Sequence, residues 1–157
     1  PASALEVLEN IWANYGEDEK FAVIGGNMES PVDGAPGNYD MTYAENLTYN
    51  LLVPADQTAN ITDVASLLHA MNANTFTAGC YRVTDSANMD AVVKALQENI
   101  QARQWMCGFP EKLIVAVVGG EYVLMVFGLN DAVNPFETKL ATAYPDAVIA
   151  YNEAITG

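Results

Sequence analysis

The sequence predicts an α+β fold: a ferredoxin-like βαββαβ plait over residues 75–152, with residues 1–74 as an N-terminal helical arm covering the second sheet face. Two observations support this. Residues 75–152 follow the order strand, helix, strand, strand, helix, strand, which is the order of the split βαβ plait. The first 74 residues add two amphipathic helical patterns. We treat residues 1–157 as a single domain, a length typical of one domain.

The N-terminal part begins with a clear helix signal. Ser3 and Glu6 form a capping box, apolar residues then recur at helical steps to Tyr15, and Gly16 is a suitable end. Residues 21–24 fit a short strand. Frequent Gly and Pro predict a loop over 25–40, and residues 39–53 are ambiguous.

A second helix is predicted after Asn60. Val64, Leu67, Leu68 and Met71 recur at steps of three and four residues and would form one apolar stripe. The chain's single histidine, His69, would then flank that stripe.

The plait itself starts with a strand over 75–83 and a helix capped by Asp85 or Ser86. Residues 113–118 and 122–127 form a hairpin around a two-residue Gly119-Gly120 turn. Asn134 is predicted to cap the last helix, with Pro135 in its first position, before a final strand over 147–151.

The hairpin strands show no polar alternation, so both faces of the sheet are expected to be buried. The N-terminal arm would cover the second face. A dimer that packs sheet against sheet is the alternative explanation.

Charge excludes two classes of partner. Six Lys and Arg residues face 20 Asp and Glu residues, a net charge of -14, which argues against binding nucleic acid or an anionic membrane. The longest apolar tract, over 113–127, is interrupted by Gly119, Gly120 and Glu121, so no membrane-spanning segment is predicted. Most of the negative charge is expected to form a solvated surface, and a face for divalent cations or a basic partner is the alternative.

The thiols and the histidine give no catalytic signature. Cys80 and Cys107 are too few for a disulfide scaffold, and either a single bridge or two buried thiols is consistent with the sequence. A nucleophilic Cys paired with His69 is conceivable, but neither cysteine lies in a nucleophile motif, so structural cysteines are favoured.

Metal and cofactor sites are not predicted. Asp33, Asn38 and Asp40, with Glu29 nearby, offer the oxygen ligands that calcium prefers, which makes them weak candidates. Their spacing does not match a calcium-binding loop. The glycines before residue 38 lack the lysine of a phosphate-binding loop.

An unusual aromatic stretch lies between the first helix and second strand of the plait. Residues 104–110 place Trp105 and Phe109 close together, and we take these with Tyr81 and Arg82 as candidate binding residues. The alternative is that the rings close the end of the core and that Arg82 forms a structural ion pair.

Residues 85–144 resemble a known family. The matching features are the helix from Met89 to Arg103, the exit Gln101-Ala-Arg-Gln104, and the hairpin from Leu113 to Gly128. The resemblance is to an uncharacterised domain of secreted or lipid-anchored proteins from Gram-positive gut bacteria. It implies export, commonly through a lipid attached upstream of these residues, and it implies no activity.

The sequence therefore favours a non-enzymatic extracytoplasmic binding module of a bacterial cell-surface lipoprotein, without a cofactor, whose ligand is a protein or a small molecule. The alternative is a hydrolase that uses carboxylates or a Cys/His pair.

Overall fold

A sheet whose central strands are buried on both faces organises the fold, as the unbroken apolar sequences of those strands require. The computed structural model describes residues 1–27, 30–106 and 108–156, with the side chains of residues 43–46 outside the description. Within the described residues, eight strands form one sheet whose neighbouring strands are all antiparallel. Helices pack on both of its faces, which confirms the α+β class.

The described residues form four α-helices, eight strands and three short 3₁₀ turns. The described α-helices are α1 (Ala4–Trp12), α2 (Ala44–Leu51), α3 (Met89–Ala102) and α4 (Asn130–Ala143). The strands are β1 (Val23–Gly25), β2 (Val32–Asp33), β3 (Gly37–Asn38), β4 (Ile61–His69), β5 (Phe76–Val83), β6 (Lys112–Val118), β7 (Tyr122–Gly128) and β8 (Val148–Ala154). Short 3₁₀ turns occupy Met41–Tyr43, Ala55–Asn60 and Ser86–Asn88.

Local signals place α1 and the hairpin correctly. The Ser3 hydroxyl accepts a hydrogen bond from the Glu6 backbone N–H at 3.1 Å, as a capping box requires. The β6–β7 hairpin is also confirmed, although Glu121 joins Gly119 and Gly120 in a turn of three residues. Both glycines have positive φ, 63° and 73°, which residues with a Cβ adopt at a cost.

The prediction of a helix after Asn60 is wrong, because this segment forms the strand β4. The apolar spacing from Val64 to Leu68 fits a helix, but residues 64–68 are all buried, as in a central strand covered on both faces. Such a strand has no polar alternation, so periodicity does not distinguish it from a helix. Met71 lies beyond the strand and is 83% exposed.

The last helix begins at Asn130, five residues before its predicted first position, so Pro135 lies inside α4. A distant side chain supplies the missing cap, since Glu111 Oε1 accepts from the Asn130 backbone N–H at 2.9 Å. Val133, Phe136 and Leu140 are buried, and this packing outweighs the local cost of the proline.

The strand order differs from that of a ferredoxin-like plait. The plait places its last strand beside its first, whereas β8 pairs with β6, and β4 occupies the position beside β5. The order β4-β5-β7-β6-β8 keeps the predicted hairpin strand β7 between β5 and β6. The ferredoxin-like plait is therefore not confirmed.

This difference decides which face each helix covers. The β5–α3–β6 and β7–α4–β8 connections move in the same direction across the sheet, while β5 and β7 run in opposite directions. Two right-handed crossovers then place α3 and α4 on opposite faces. One core cluster accordingly contains α1 and α4, and the other contains buried residues of α2 and α3.

The first 74 residues therefore do not form a helical arm over one face. They add one helix to each face and four strands, β1 to β4, to the sheet itself. The reason is that β4 supplies the neighbour of β5 that the plait would have taken from its last strand.

Candidate functional site

The C-terminal end of α2 is held by side chains from the rest of the molecule. The last carbonyls of a helix lack partners within the helix and need donors from elsewhere. Three donors reach this end: Tyr81 Oη to the Leu51 carbonyl at 3.0 Å, Asn99 Nδ2 to the Leu52 carbonyl at 2.7 Å, and Arg103 Nη1 to the Tyr49 carbonyl at 2.8 Å. β5 and α3 thus fix the position of α2.

Leu52 continues this helix end in an uncommon conformation. Its φ is 61°, in the left-handed region that costs a residue with a Cβ roughly 1–2 kcal/mol. Leu52 and Val53 are both buried, and their burial offsets that cost.

Arg103 lies between two aromatic rings. Its guanidinium carbon is 5.3 Å from the centre of the Tyr49 ring and 5.1 Å from that of Trp105, within the range of cation–π attraction. Among the described residues, the four ion pairs engage other bases, and no carboxylate lies within 4.0 Å of the Arg103 guanidinium.

Two adjoining cavities meet at Tyr49 and Arg103, with volumes of about 360 and 570 Å³. We call them together the Arg103 groove. Its lining is apolar, amide or hydroxyl in character apart from the arginine: Thr48, Tyr49, Asn50, Leu52, Leu68, Ala73, Asn74, Thr77, Asn99, Ala102, Arg103, Gln104, Trp105, Met106 and Phe127. None of these lining residues is acidic, in a chain with 20 acidic residues.

The groove has exposed rims and a buried wall. Tyr49 is 70% exposed and Met106 is 76% exposed. Trp105 is only 6% exposed and packs on Phe127, with ring centres 5.0 Å apart. Its indole Nε1 has no acceptor in the part of the chain that the structure describes, and such a buried donor costs about 1–3 kcal/mol.

The four predicted binding residues do not form one site. Trp105 lines the groove, whereas Phe109 is 68% exposed and is not among the lining residues. Tyr81 is fully buried behind the groove, and burial raises the pKa of its phenol, which therefore remains a donor to Leu51.

Arg82 lies elsewhere. It pairs with Glu121 at 3.1 Å, as the structural alternative predicted. It belongs to the opposite face of β5 from Tyr81, because side chains alternate along a strand. The groove residue Thr77 is five positions away on the same strand, about 16 Å along it.

Several groove residues escaped the sequence prediction. Tyr49 falls in the segment of ambiguous periodicity, and Asn74 in the turn between β4 and β5. In the sequence, Arg103 stands out only as part of the helix exit at residues 101–104. Its rarity, as one of six basic residues, was the available signal, but the bond between Arg103 and Tyr49 spans 54 positions.

A smaller cavity of about 250 Å³ lies at the α1–α4 face and includes His69, Phe21 and Tyr15 in its lining. His69 Nδ1 accepts from the backbone N–H groups of Met71 at 3.1 Å and Asn72 at 3.3 Å, and its ring stacks on Phe21 at 5.6 Å. His69 therefore organises the turn that follows β4.

Cys80 is a free, fully buried thiol whose pKa is raised by burial. It pairs in register with Ala65, four positions from His69 on β4, or about 13 Å along the strand. Cys80 and His69 thus do not form a nucleophilic pair. Cys107 lies outside the described residues.

The weak calcium candidates are exposed: Asp33 on β2, Asn38 on β3, and Asp40 after it. Asp40 is engaged locally, since its carboxylate accepts from the Thr42 hydroxyl and backbone N–H, and these bonds lower its pKa. Glu29 is outside the described residues. In the described ranges, no group of three or more His, Cys, Asp or Glu side chains could hold a metal ion.

Among the residues described, no helix has the length and apolar character needed to cross a membrane. Comparison of the chain with protein-family models, with curated proteins and with solved structures returned no match.

Proposed function

We propose that this chain is a non-enzymatic binding module that holds its ligand in the Arg103 groove and works on a bacterial cell surface. The observation that carries the proposal is the combination of an arginine that has no carboxylate partner among the described residues and two exposed apolar side chains around one concave surface. The rest of the chain, in contrast, is strongly acidic.

The side-chain chemistry of the rims supports binding. Tyr and Arg are enriched in binding surfaces because each combines a flat apolar face with polar donors. Met adapts its shape to a partner, since its side chain is unbranched and polarisable. Tyr49, Met106 and Arg103 bring these properties together at the groove.

The rigidity of the surroundings supports the same proposal. A preorganised site loses less conformational entropy when it binds. The exposed Tyr49 is carried by α2, whose end is fixed by the Tyr81, Asn99 and Arg103 bonds.

The cell-surface part of the proposal depends on the family resemblance, which implies export and a lipid anchor upstream. Protease treatment of intact cells of the producing organism tests it. We expect the protein to be cleaved without lysis and to fractionate with membranes. If the protein is protected from the protease until the cells are lysed, the cell-surface location is refuted. The proposal that the groove binds a ligand would not be affected.

The hydrolase alternative cannot use Cys80 and His69 as a nucleophile and its base, because these residues lie about 13 Å apart along the strands. The version that uses carboxylates finds no group of acidic residues among the described residues that line the groove.

NMR of the two tryptophan indoles tests the groove directly. Trp105 lines the groove, whereas Trp12 belongs to the core cluster on the other face and serves as an internal control. The Trp12→Phe variant assigns the two signals. The protein is titrated with a pool of short peptides and, separately, with a pool of chito-, cello- and manno-oligosaccharides.

We expect one pool to shift the Trp105 signal and to leave Trp12 in place. Tyr49→Ser should abolish the shift, whereas Val148→Ser, which removes an equally exposed apolar side chain on β8, should preserve it. The proposal is overturned if neither pool moves Trp105, or if Tyr49→Ser and Val148→Ser behave alike.

A further inference from the structure

We infer that the groove recognises the free C-terminal carboxylate of a peptide whose last side chain is large and apolar. This inference rests on the proposed function, since it names the ligand of the same groove. Four features carry it: the charge of the lining, the free donors of Arg103, the fixed orientation of the Asn74 amide, and the apolar side chains in the rest of the lining.

Charge complementarity favours an anionic ligand. The whole chain has a net charge of -14, and an anion approaching most of its surface is repelled. The groove is different, because its lining, as far as the structure describes it, contains Arg103 and no acidic residue. An anion therefore finds a favourable local environment beside Arg103.

The guanidinium retains donors for that anion. Arginine has five N–H donors, and the described structure uses one nitrogen, Nη1, for the Tyr49 carbonyl. The flanking Tyr49 and Trp105 rings hold the planar group in position. A planar fork of parallel N–H groups matches the two oxygens of a carboxylate, and these charge-assisted bonds are stronger than neutral ones.

Asn74 offers an acceptor to the same cavity. Its Nδ2 donates to the Met106 carbonyl at 2.8 Å and to the Gly108 carbonyl at 3.0 Å. Carbonyls only accept, so these two bonds fix which end of the amide is nitrogen. The Oδ1 of Asn74 has no donor among the described residues, and it can accept the backbone N–H that precedes a terminal carboxylate.

The remaining lining accepts an apolar side chain. Leu68, Trp105 and Phe127 line the same cavity, and each is buried. A volume of about 360 Å³ is near the lower end of ligand sites, which suits one large residue rather than a long segment. The adjoining space at Tyr49 leaves room for the preceding residues of the peptide.

Isothermal titration calorimetry with three related probes tests the inference. N-acetyl-phenylalanine carries the carboxylate, the N–H and the ring, its primary amide lacks the charge, and 3-phenylpropionate lacks the N–H. We expect the acid to bind roughly ten-fold or more tightly than the amide, and 3-phenylpropionate to bind more weakly than N-acetyl-phenylalanine.

Variants of the two arginines separate a site effect from a general charge effect. Arg103→Met should remove the preference for the acid, Arg103→Lys should retain only part of it, and Arg82→Met should keep it in full. Thermal unfolding of each variant checks that it is folded. If Arg103→Met does not fold, Arg103→Lys provides the comparison between the acid and the amide. Lysine preserves the positive charge but lacks the planar pair of N–H donors of the guanidinium.

The outcomes distinguish the two levels of the proposal. If the acid and the amide bind equally, or if inorganic phosphate competes as well as the acid, a terminal carboxylate is not the ligand. If only the oligosaccharide pool shifts Trp105, this inference fails while the proposed function stands. If no probe and no pool binds, both fail.

Discussion

The substitution Gly79→Ala tests whether the hydrogen bond from Tyr81 to the end of α2 supports the groove. A Cβ on Gly79 would lie 2.3 Å from Tyr81 Oη and 2.8 Å from its Cζ, closer than real side chains approach. Tyr81 is fully buried, so its ring cannot turn toward solvent to make room. The ring must shift, and the hydrogen bond from its hydroxyl to the Leu51 carbonyl is lost.

The expected cost has two parts. Overpacking of a well-filled interior costs about 1–3 kcal/mol, and a buried carbonyl left without its donor costs about 1–3 kcal/mol. Replacing a strand glycine returns roughly 0.5–1 kcal/mol of backbone entropy. We therefore expect Gly79→Ala to lower the free energy of unfolding by about 1–5 kcal/mol.

Urea unfolding followed by far-UV circular dichroism measures this cost. For an m value of about 2 kcal/mol/M, in the middle of the usual range, the midpoint should fall by roughly 0.5–2.5 M. Gly34→Ala is the matched control, because Gly34 has a φ of 76° with nothing within 4 Å of an added Cβ, so only backbone strain of roughly 1–2 kcal/mol applies.

A double variant sharpens the interpretation. Tyr81→Phe alone removes the hydrogen bond, and combining it with Gly79→Ala should cost less than the sum of the two, because that bond is lost only once. A Gly79→Ala protein within about 0.5 kcal/mol of the parent, a typical range for neutral surface changes, would refute the reasoning.

Two further predictions concern acid stability and oxidation. The pKa of Glu19 is lowered, first by the Gly16 backbone N–H and then by Lys139. Its contribution to stability is therefore present above its ordinary pKa of 4.5 and is lost as the pH falls through the lowered value. Glu19→Gln should lower the melting temperature near neutral pH and leave it nearly unchanged in strong acid; equal losses at both would contradict this. Peptide mapping after hydrogen peroxide should show Met106, 76% exposed, oxidised before Met125, 0% exposed, and a groove ligand should protect Met106; equal rates would contradict the described burial.

Elements with a local cause could be predicted from the sequence. The bond between Ser3 and Glu6 that starts α1 needs only neighbouring residues, and so does the glycine turn of the hairpin. β4 could not be predicted, because an unbroken apolar run is compatible with a strand or a helix until its neighbours are known. The start of α4 depends on Glu111, which is 19 positions away.

The same distinction explains the candidate site. Trp105 could be singled out because it belongs to an unusual local stretch. Its partners could not, since Tyr49 and Arg103 meet only after α2 has packed against α3 and β5. Tyr81, with its polar hydroxyl, was predicted as a contact residue, but the same hydroxyl serves the buried end of α2.

The most direct test of the central claim is the NMR environment of the Arg103 side chain. If the guanidinium lies between Tyr49 and Trp105, its δ protons should be shifted upfield by the two rings and show nuclear Overhauser effects to both. Tyr49→Ser should remove part of the shift, and N-acetyl-phenylalanine should move the Arg103 Nε–H signal. Arg103 protons at unstructured positions, without an effect to either ring, would contradict the existence of the groove as described.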